Sequence, residues 1–377
     1  MSCMGKERSD LRSWDPIQNE FALFFQVLQK DEQKILICFG PAGRTDTAGI
    51  YLVRGNEAGD IEPLPRLKNV IVASTTQLPF FTALHKERTI SGVVHLAEVF
   101  DPRIRELAAT GAIKEVGTAD GLDQEAIISL APQAIFDHPF GRNMHAGIGS
   151  KPTVHITEYL EPHPLGRAEW LKVFGILLEE EQQADEVFTA IRDRYLSVAR
   201  EYGDHKERPL VFFASSWQGQ WFAPPANSYM ATLIEDAGGR YSFSDRKGEG
   251  NISMDLETVL HEVRKADRFG MILSTSDTIT ATVLAAGESR LASLKAVTEG
   301  GFFGNSAATD LFGQAVLEPD RMLADLVNIF HAPENSSPEF QYFQPLVRNA
   351  TVVERDPSLA RDTVAPGPAH GASHGLR

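Results

Sequence analysis

The chain has 377 residues, 42% of them hydrophobic, which is enough apolar material for two globular cores. A formal charge of -15 and a pI near 5.2 argue against a nucleic-acid partner, which needs a basic face. Two cysteines, Cys3 and Cys38, exclude a disulfide scaffold and a cysteine-rich zinc site. Residues 1–66 read as an N-terminal extension. NEFALFFQVLQ is amphipathic or strand-like, and ILICFG and GIYLVRG flank a Gly/Thr/Asp-rich turn region, which predicts a β-hairpin with Cys38 as a core thiol. Cys3 stands where a processed lipoprotein keeps its cysteine, and an N-terminal cysteine without a role explains it nearly as well. No basic head followed by an apolar stretch opens the chain, so no signal peptide is visible. No run of about 18 apolar residues predicts a membrane span.

From 67 to 163, the apolar runs KNVIVAS, RTISGVVH, QAIFDH and KPTVHIT alternate with helical stretches. That alternation predicts an α/β fold with a mostly parallel sheet covered on both faces, and ligands of such sheets collect at the carboxyl ends of the strands. Residues 164–203 read as a long helical region. Ala184, Val187, Phe188, Ile191, Tyr195, Val198 and Tyr202 fall at three- and four-residue spacings and form one apolar stripe. About twenty residues of helix span roughly 30 Å, long enough to join two lobes. Residues 204–345 repeat the alternation with RPLVFFASS, RFGMILST and the helix pattern PDRMLADLVNIF. Residues 346–377 are rich in Pro, Ala, Gly and His without periodicity, and predict a disordered tail.

Two distant segments match. GLDQEAIISLAP (121–132) and SMDLETVLHEVRKAD (253–267) each read as a short amphipathic helix running into an apolar strand. Each carries one glutamate, Glu125 or Glu257, clear of the apolar face. One supersecondary unit used once per half predicts two similar lobes with a ligand cleft between them.

The run YLEPHPLGRAEWLKVFGILLEEEQQADEVFTAIRDRYLSVAREY resembles the interlobe region of periplasmic substrate-binding proteins of iron-siderophore, haem and cobalamin ABC importers. VIVASTTQLPFFTAL, IKEVGTADGLDQEAIISLAPQAIF and SSWQGQWFAPPANSYMATLIEDAGGRYSF extend the likeness from about Arg66 to His331, and HPLGRAEW is its most specific piece. The resemblance implies two Rossmann-like lobes joined by a single long α-helix, with no catalytic activity. It implies a monomer, periplasmic or lipid-anchored at the cell envelope, that delivers a chelate to an ABC permease dimer with its ATPase. Glu125 and Glu257 fall where the family docks on permease arginines, whose forked guanidinium suits a carboxylate. Taken alone, each would read as a solvated helix residue.

The loops after the strands supply the candidate ligand site. In the first lobe they are Thr75, Thr76, Phe140, Arg142, His145, Glu158 and Tyr159; in the second, Trp217, Trp221, Phe222, Tyr229 and Phe303. Aromatic faces suit a large, flat or partly apolar ligand. Ferric siderophore and cobalamin are expected ahead of haem, with the iron or cobalt carried by the ligand. The protein itself is expected to have no cofactor and no metal site, because no tight His/Asp/Glu cluster is visible. His138 and His145 are able to ligate a metal, although loop histidines are more often hydrogen-bonding surface residues. His163, Arg167 and Glu169 read as helix-entry architecture. Neither a phosphate-binding P-loop nor a nucleophile elbow is present, and HEVRKAD lacks the second histidine of a metalloprotease helix. A cytosolic α/β enzyme is the alternative of a different class.

Overall fold

The computed structural model describes residues 11–56, 58–118, 121–138, 152–273, 289–305, 309–333 and 336–346. Cys3, Phe140, Arg142, His145 and the tail beyond Leu346 lie outside the described residues. The chain divides into two compact units, Met1–Arg192 with Phe312–Leu317, and Asp193–Leu311 with Glu318–Arg377.

An antiparallel meander opens the first unit: β1 (Asp15–Ile17), β2 (Phe25–Lys30), β3 (Gln33–Gly40) and β4 (Gly43–Arg54) pair in chain order. The hairpin expected from ILICFG and GIYLVRG is β3–β4, but its turn is tight. Gly40 pairs with Gly43 across Pro41 and Ala42, and Gly43 takes a φ of 65°, which favours glycine. The Gly/Thr/Asp-rich stretch is therefore strand, and irregularities in register around Phe39 accommodate it. Trp14, Leu28, Ile35 and Leu52 form the core of this layer. Cys38 is fully buried, and its removal from water pushes the thiol pKa up.

The second sheet of this unit contains β5 (Val70–Val72), β6 (Ile90–Val94), β7 (Lys114–Thr118), β8 (Gly121–Leu122), β9 (Ala134–Asp137) and β10 (Thr153–His155). Their order is β10-β9-β5-β6-β7-β8, parallel except for the β7–β8 hairpin. The helices are α1 (Leu78–Ala83), α2 (Pro102–Ala109), α3 (Gln124–Leu130), α4 (Pro164–Leu177) and α5 (Glu181–Tyr202). Both faces of the sheet are covered, which is why its strands read as continuous apolar runs. Ile71, Val94, Val116 and Ile135 meet Ile127 of α3 on one face. Phe136, the next residue on β9, turns to the other face, 5.5 Å from Phe174 of α4 and edge-on to Phe81 of α1 at 5.3 Å. The helical region 164–203 is two helices, separated where Glu179 takes a φ of 60°. Ala184, Phe188, Ile191 and Tyr195 of the apolar stripe are buried.

α4 carries the joint between meander and sheet. Glu169, fully buried, accepts the backbone N–H groups of Glu20, Phe21 and Ala22, each at 2.8 Å. Glu161 accepts those of Leu23 and Phe24, and the indole N–H of Trp170 at 3.0 Å. The loop between β1 and β2 thus delivers its amide protons to two carboxylates far along the chain. His163 caps α4, its Nδ1 accepting from Leu165 N at 3.0 Å, and Pro164 fills the first turn, where its missing N–H costs nothing. The helix-entry role read for His163 and Glu169 has this physical content.

The second unit is built on β11 (Leu210–Trp217), β12 (Gln220–Ala223), β13 (Arg240–Tyr241), β14 (Ile252–Met254), β15 (Arg268–Ile272), β16 (Phe302–Asn305) and β17 (Phe343–Pro345). Its helices are α6 (Tyr229–Asp236), α7 (Leu256–Lys265), α8 (Ser289–Ala292), α9 (Lys295–Thr298) and α10 (Pro319–His331). The order β14-β12-β11-β15-β16-β17 has a parallel centre, β11/β15/β16, with antiparallel strands toward each edge. Phenylalanines fill both faces: Phe212, Phe269 and Phe302 stack on one, while Phe213, Phe303, Phe330 and Phe343 meet on the other. Gly270 lies between Phe213 and Phe303, and a Cβ there would sit 2.4 Å from each ring. Glycine is what allows the two rings to close over β15. Among the described residues no helix is long and apolar enough to cross a membrane.

The matched segments fold alike. In the first unit β8, an antiparallel edge strand, leads into α3 and then the parallel strand β9; in the second, the edge strand β14 leads into α7 and β15. Each helix is capped by an aspartate, Asp123 accepting from Ala126 N at 2.9 Å and Asp255 from Thr258 N at 2.8 Å. Glu125 and Glu257 occupy the same second helical position after that cap, and both are exposed.

Candidate ligand site

Three adjacent parallel strands of the first unit end together. After β5 the chain turns through Thr75–Gln77, after β9 comes His138, and after β10 come Glu158 and Tyr159. The parallel register places these exits on one edge of the sheet, where the sequence placed the ligand. Thr76 Oγ1 donates to Glu158 Oε1 at 2.5 Å, across 82 positions of sequence. Ser74 Oγ lies 2.9 Å from Thr76 Oγ1 and extends the polar chain. His138 Nδ1 lies 3.3 Å from Asp137 Oδ1, and its ring meets that of Tyr159 edge-on at 6.1 Å.

The electrostatics of the group are coupled. Glu158 is 1% exposed, and burial raises its pKa above the ordinary carboxylate range against the opposing pull of Arg167, Thr76 and His138. Asp137 raises the pKa of His138, outweighing the desolvation that lowers it. Glu158 Oε2 has no hydrogen-bond partner among the described residues, and neither does the side-chain amide of the fully buried Gln77. Such groups are costly to leave dry and mark a place where a bound molecule or water has polar work to do.

A pH experiment follows from Glu158. Its folded pKa exceeds its unfolded one, so the folded chain holds a proton that the unfolded chain has already released. The stability this contributes is complete below the unfolded carboxylate pKa and is lost as pH rises through the folded value. Glu158→Gln keeps an acceptor for Thr76 and carries no charge. Urea midpoints measured from acid to neutral pH should therefore fall less steeply in the variant, with its largest relative gain at the neutral end. Parallel profiles for the two proteins would refute this assignment.

The structure sorts the sequence candidates. Thr75, Thr76 and Tyr159 are half-buried and gather with His138 at the strand ends. Glu158 belongs to the same group but faces inward, accepting from Thr76 and raising the pKa of His138 rather than offering a carboxylate to solvent. In the second unit, SSWQGQWF is a hairpin rather than a loop. Trp217 pairs with Gln220 across Gln218 and Gly219, both at positive φ. Strand alternation on β12 then turns Trp221 and Ala223 inward and Phe222 the other way. Trp221, at 6% exposure, and Phe303, fully buried against Phe213, Phe330 and Phe343, are core residues, which corrects their assignment to the ligand. Trp217, Phe222 and Tyr229 are half-buried, and the Tyr229 hydroxyl lies 3.1 Å from the sulfur of Met322 on α10. Sequence reasoning missed Asp137; an Asp-His pair closing an apolar strand was the signal available.

Residues 70–301 match the family model described as periplasmic binding protein, from the first strand of the parallel sheet to the threshold of β16. This chain belongs to that family. The antiparallel meander lies outside the matched region of this periplasmic binding protein, as do α10 and β17. An uncharacterized lipoprotein of Methanocaldococcus jannaschii is 29% identical over 279 residues, covering 70% of this chain. The chain spans 65% of that relative's own length. Among solved structures, a periplasmic haem-binding protein from Pseudomonas aeruginosa aligns with a TM-score of 0.57 at 17% identity, over 74% of this chain and 97% of that one. A triscatecholate siderophore-binding protein from Bacillus subtilis aligns with a TM-score of 0.55 at 14% identity, over 70% of this chain and 92% of that one. These likenesses are of fold.

Proposed function

We propose that this periplasmic binding protein is the substrate-binding component of an ABC importer. It captures a metal chelate, a ferric siderophore or cobalamin, with haem as the alternative cargo, and passes it to a membrane permease dimer driven by its ATPase. It acts as a monomer on the outer side of the membrane, free or lipid-anchored, and carries no catalytic role. The observation that supports this reading most directly is the polar group at the carboxyl ends of β5, β9 and β10, where Thr76, Glu158, Tyr159 and His138 converge in a chain of this family. Glu125 and Glu257, in equivalent helix positions, are the docking contacts for the permease. Equilibrium dialysis of the purified chain against a ferric tris-catecholate, aquocobalamin and ferric protoporphyrin IX tests the cargo. At least one is expected to bind with a Kd of about 1 μM or tighter, equivalent to about -8 kcal/mol. Failure of all three to bind would overturn the proposal.

A further inference from the structure

We infer that Ile128 of α3 is an apolar anchor for the permease subunit that Glu125 engages, so that the first unit docks through a carboxylate and an isoleucine side by side. The inference rests on the docking reading of Glu125 above. α3 turns one stripe inward: Ile127 lies in the core with Ile71, Val94, Val116 and Ile135, and Ala126 and Leu130 pack against that cluster. Glu125 and Ile128 fall on the opposite side, both exposed. They are three residues apart, which on a helix makes them neighbours with Cβ atoms about 5–6 Å from each other. At 65% exposure, Ile128 is the most exposed large apolar side chain among the described residues.

A single apolar residue on a surface is ordinary. The matched helix gives this one its meaning. Counted from the capping aspartates, Asp123 and Asp255, Ile128 corresponds to Leu260 of α7 as Glu125 does to Glu257. Leu260 is 2% exposed and is buried with Val259 and Val263, and α8 and α9 pack against α7. The second unit thus keeps the apolar residue of this position in its own core, whereas the first turns it to solvent beside the carboxylate. Helix formation does not call for isoleucine there, since glutamine, glutamate or lysine has the better propensity. The occupant that fits is a protein surface offering a cation to Glu125 and, next to it, an apolar recess to Ile128. A permease subunit with an arginine at the rim of an apolar contact meets both requirements, and an apolar centre within a polar rim is the usual anatomy of a protein interface.

The test uses cells that depend on this chain for chelate uptake, with the chain expressed at levels that limit the rate. Ile128→Ser should need about ten- to a hundredfold more chain for half-maximal uptake, the range for an aliphatic side chain withdrawn from water. Ile128→Leu should restore uptake. The chelate Kd from equilibrium dialysis and the urea midpoint should match the unchanged chain in both variants. Undiminished uptake by Ile128→Ser would overturn the inference; if Glu125→Arg with Glu257→Arg still abolishes uptake, docking through the carboxylates stands without it. A midpoint or chelate affinity that falls in step with uptake in Ile128→Ser would also overturn it, by making the residue structural. So would an unchanged chain that sediments as a dimer beside a monomeric Ile128→Ser, because the patch would then join copies of this chain. Undiminished uptake by Ile128→Ser and by the double glutamate variant alike would remove the docking reading as well.

Discussion

Glu169→Ala is expected to lower the unfolding free energy of the first unit by about 3–5 kcal/mol, the range for removing one partner from a buried charged network. Glu20, Phe21 and Ala22 sit in the loop between β1 and β2, where no strand accepts their N–H groups, and one fully buried carboxylate accepts all three. Each donor stranded without water or a partner costs about 1–3 kcal/mol. Lys172, whose ammonium reaches both Glu169 and Glu20, loses one of its anchors as well. Glutamine is no rescue, because its NH2 end would point a donor at donors. Chemical denaturation should show the earlier transition, and hydrogen exchange should show the amides of residues 20–22 losing protection. An unchanged midpoint with those amides still protected would mean that the meander is held on by other contacts.

The joint also marks where sequence reading stops. Periodicity and apolar runs are local properties, so the parallel strands, the stripe on α5 and the paired helices with Glu125 and Glu257 were all legible. The carboxylate clamps were not, because Glu169 and Glu20 are separated by 149 residues and nothing near either announces the other. Glu158 was placed after its strand, yet its burial depends on Thr76 arriving from another strand end. Trp221 and Phe303 turn inward for a more specific reason. Following an apolar strand, Trp221 reads as a loop residue, but a two-residue Gln218-Gly219 turn is enough to make SSWQGQWF a hairpin. Phe302 and Phe303 sit on a buried strand whose two faces are both apolar, so adjacent phenylalanines carried no sign of which way either points.

Reversing both proposed docking charges, Glu125→Arg with Glu257→Arg, should abolish chelate uptake in cells that depend on this chain while leaving the chelate Kd unchanged. Both residues are exposed, in the first turn of capped helices. Fold and cargo affinity should therefore survive the change, although a positive charge near a helix N-terminus costs a few tenths of a kcal/mol. Two carboxylates, one on each unit, engaging a two-subunit partner act bivalently, so losing both removes more than twice the effect of losing one. Opposing like charges across an interface costs several kcal/mol, enough to prevent productive docking. The single variants should differ. Glu257 already holds Arg290 of α8, at 2.6 Å, whereas Glu125 has no ion pair among the described residues. An exposed pair of this kind is worth about 0.2–1 kcal/mol, so a permease arginine gains less at Glu257 by that amount. Glu125→Arg is accordingly expected to reduce uptake more than Glu257→Arg. Uptake by the double variant at the wild-type rate would rule out docking through these helices, and a loss of chelate affinity would show that the charges serve the cargo instead.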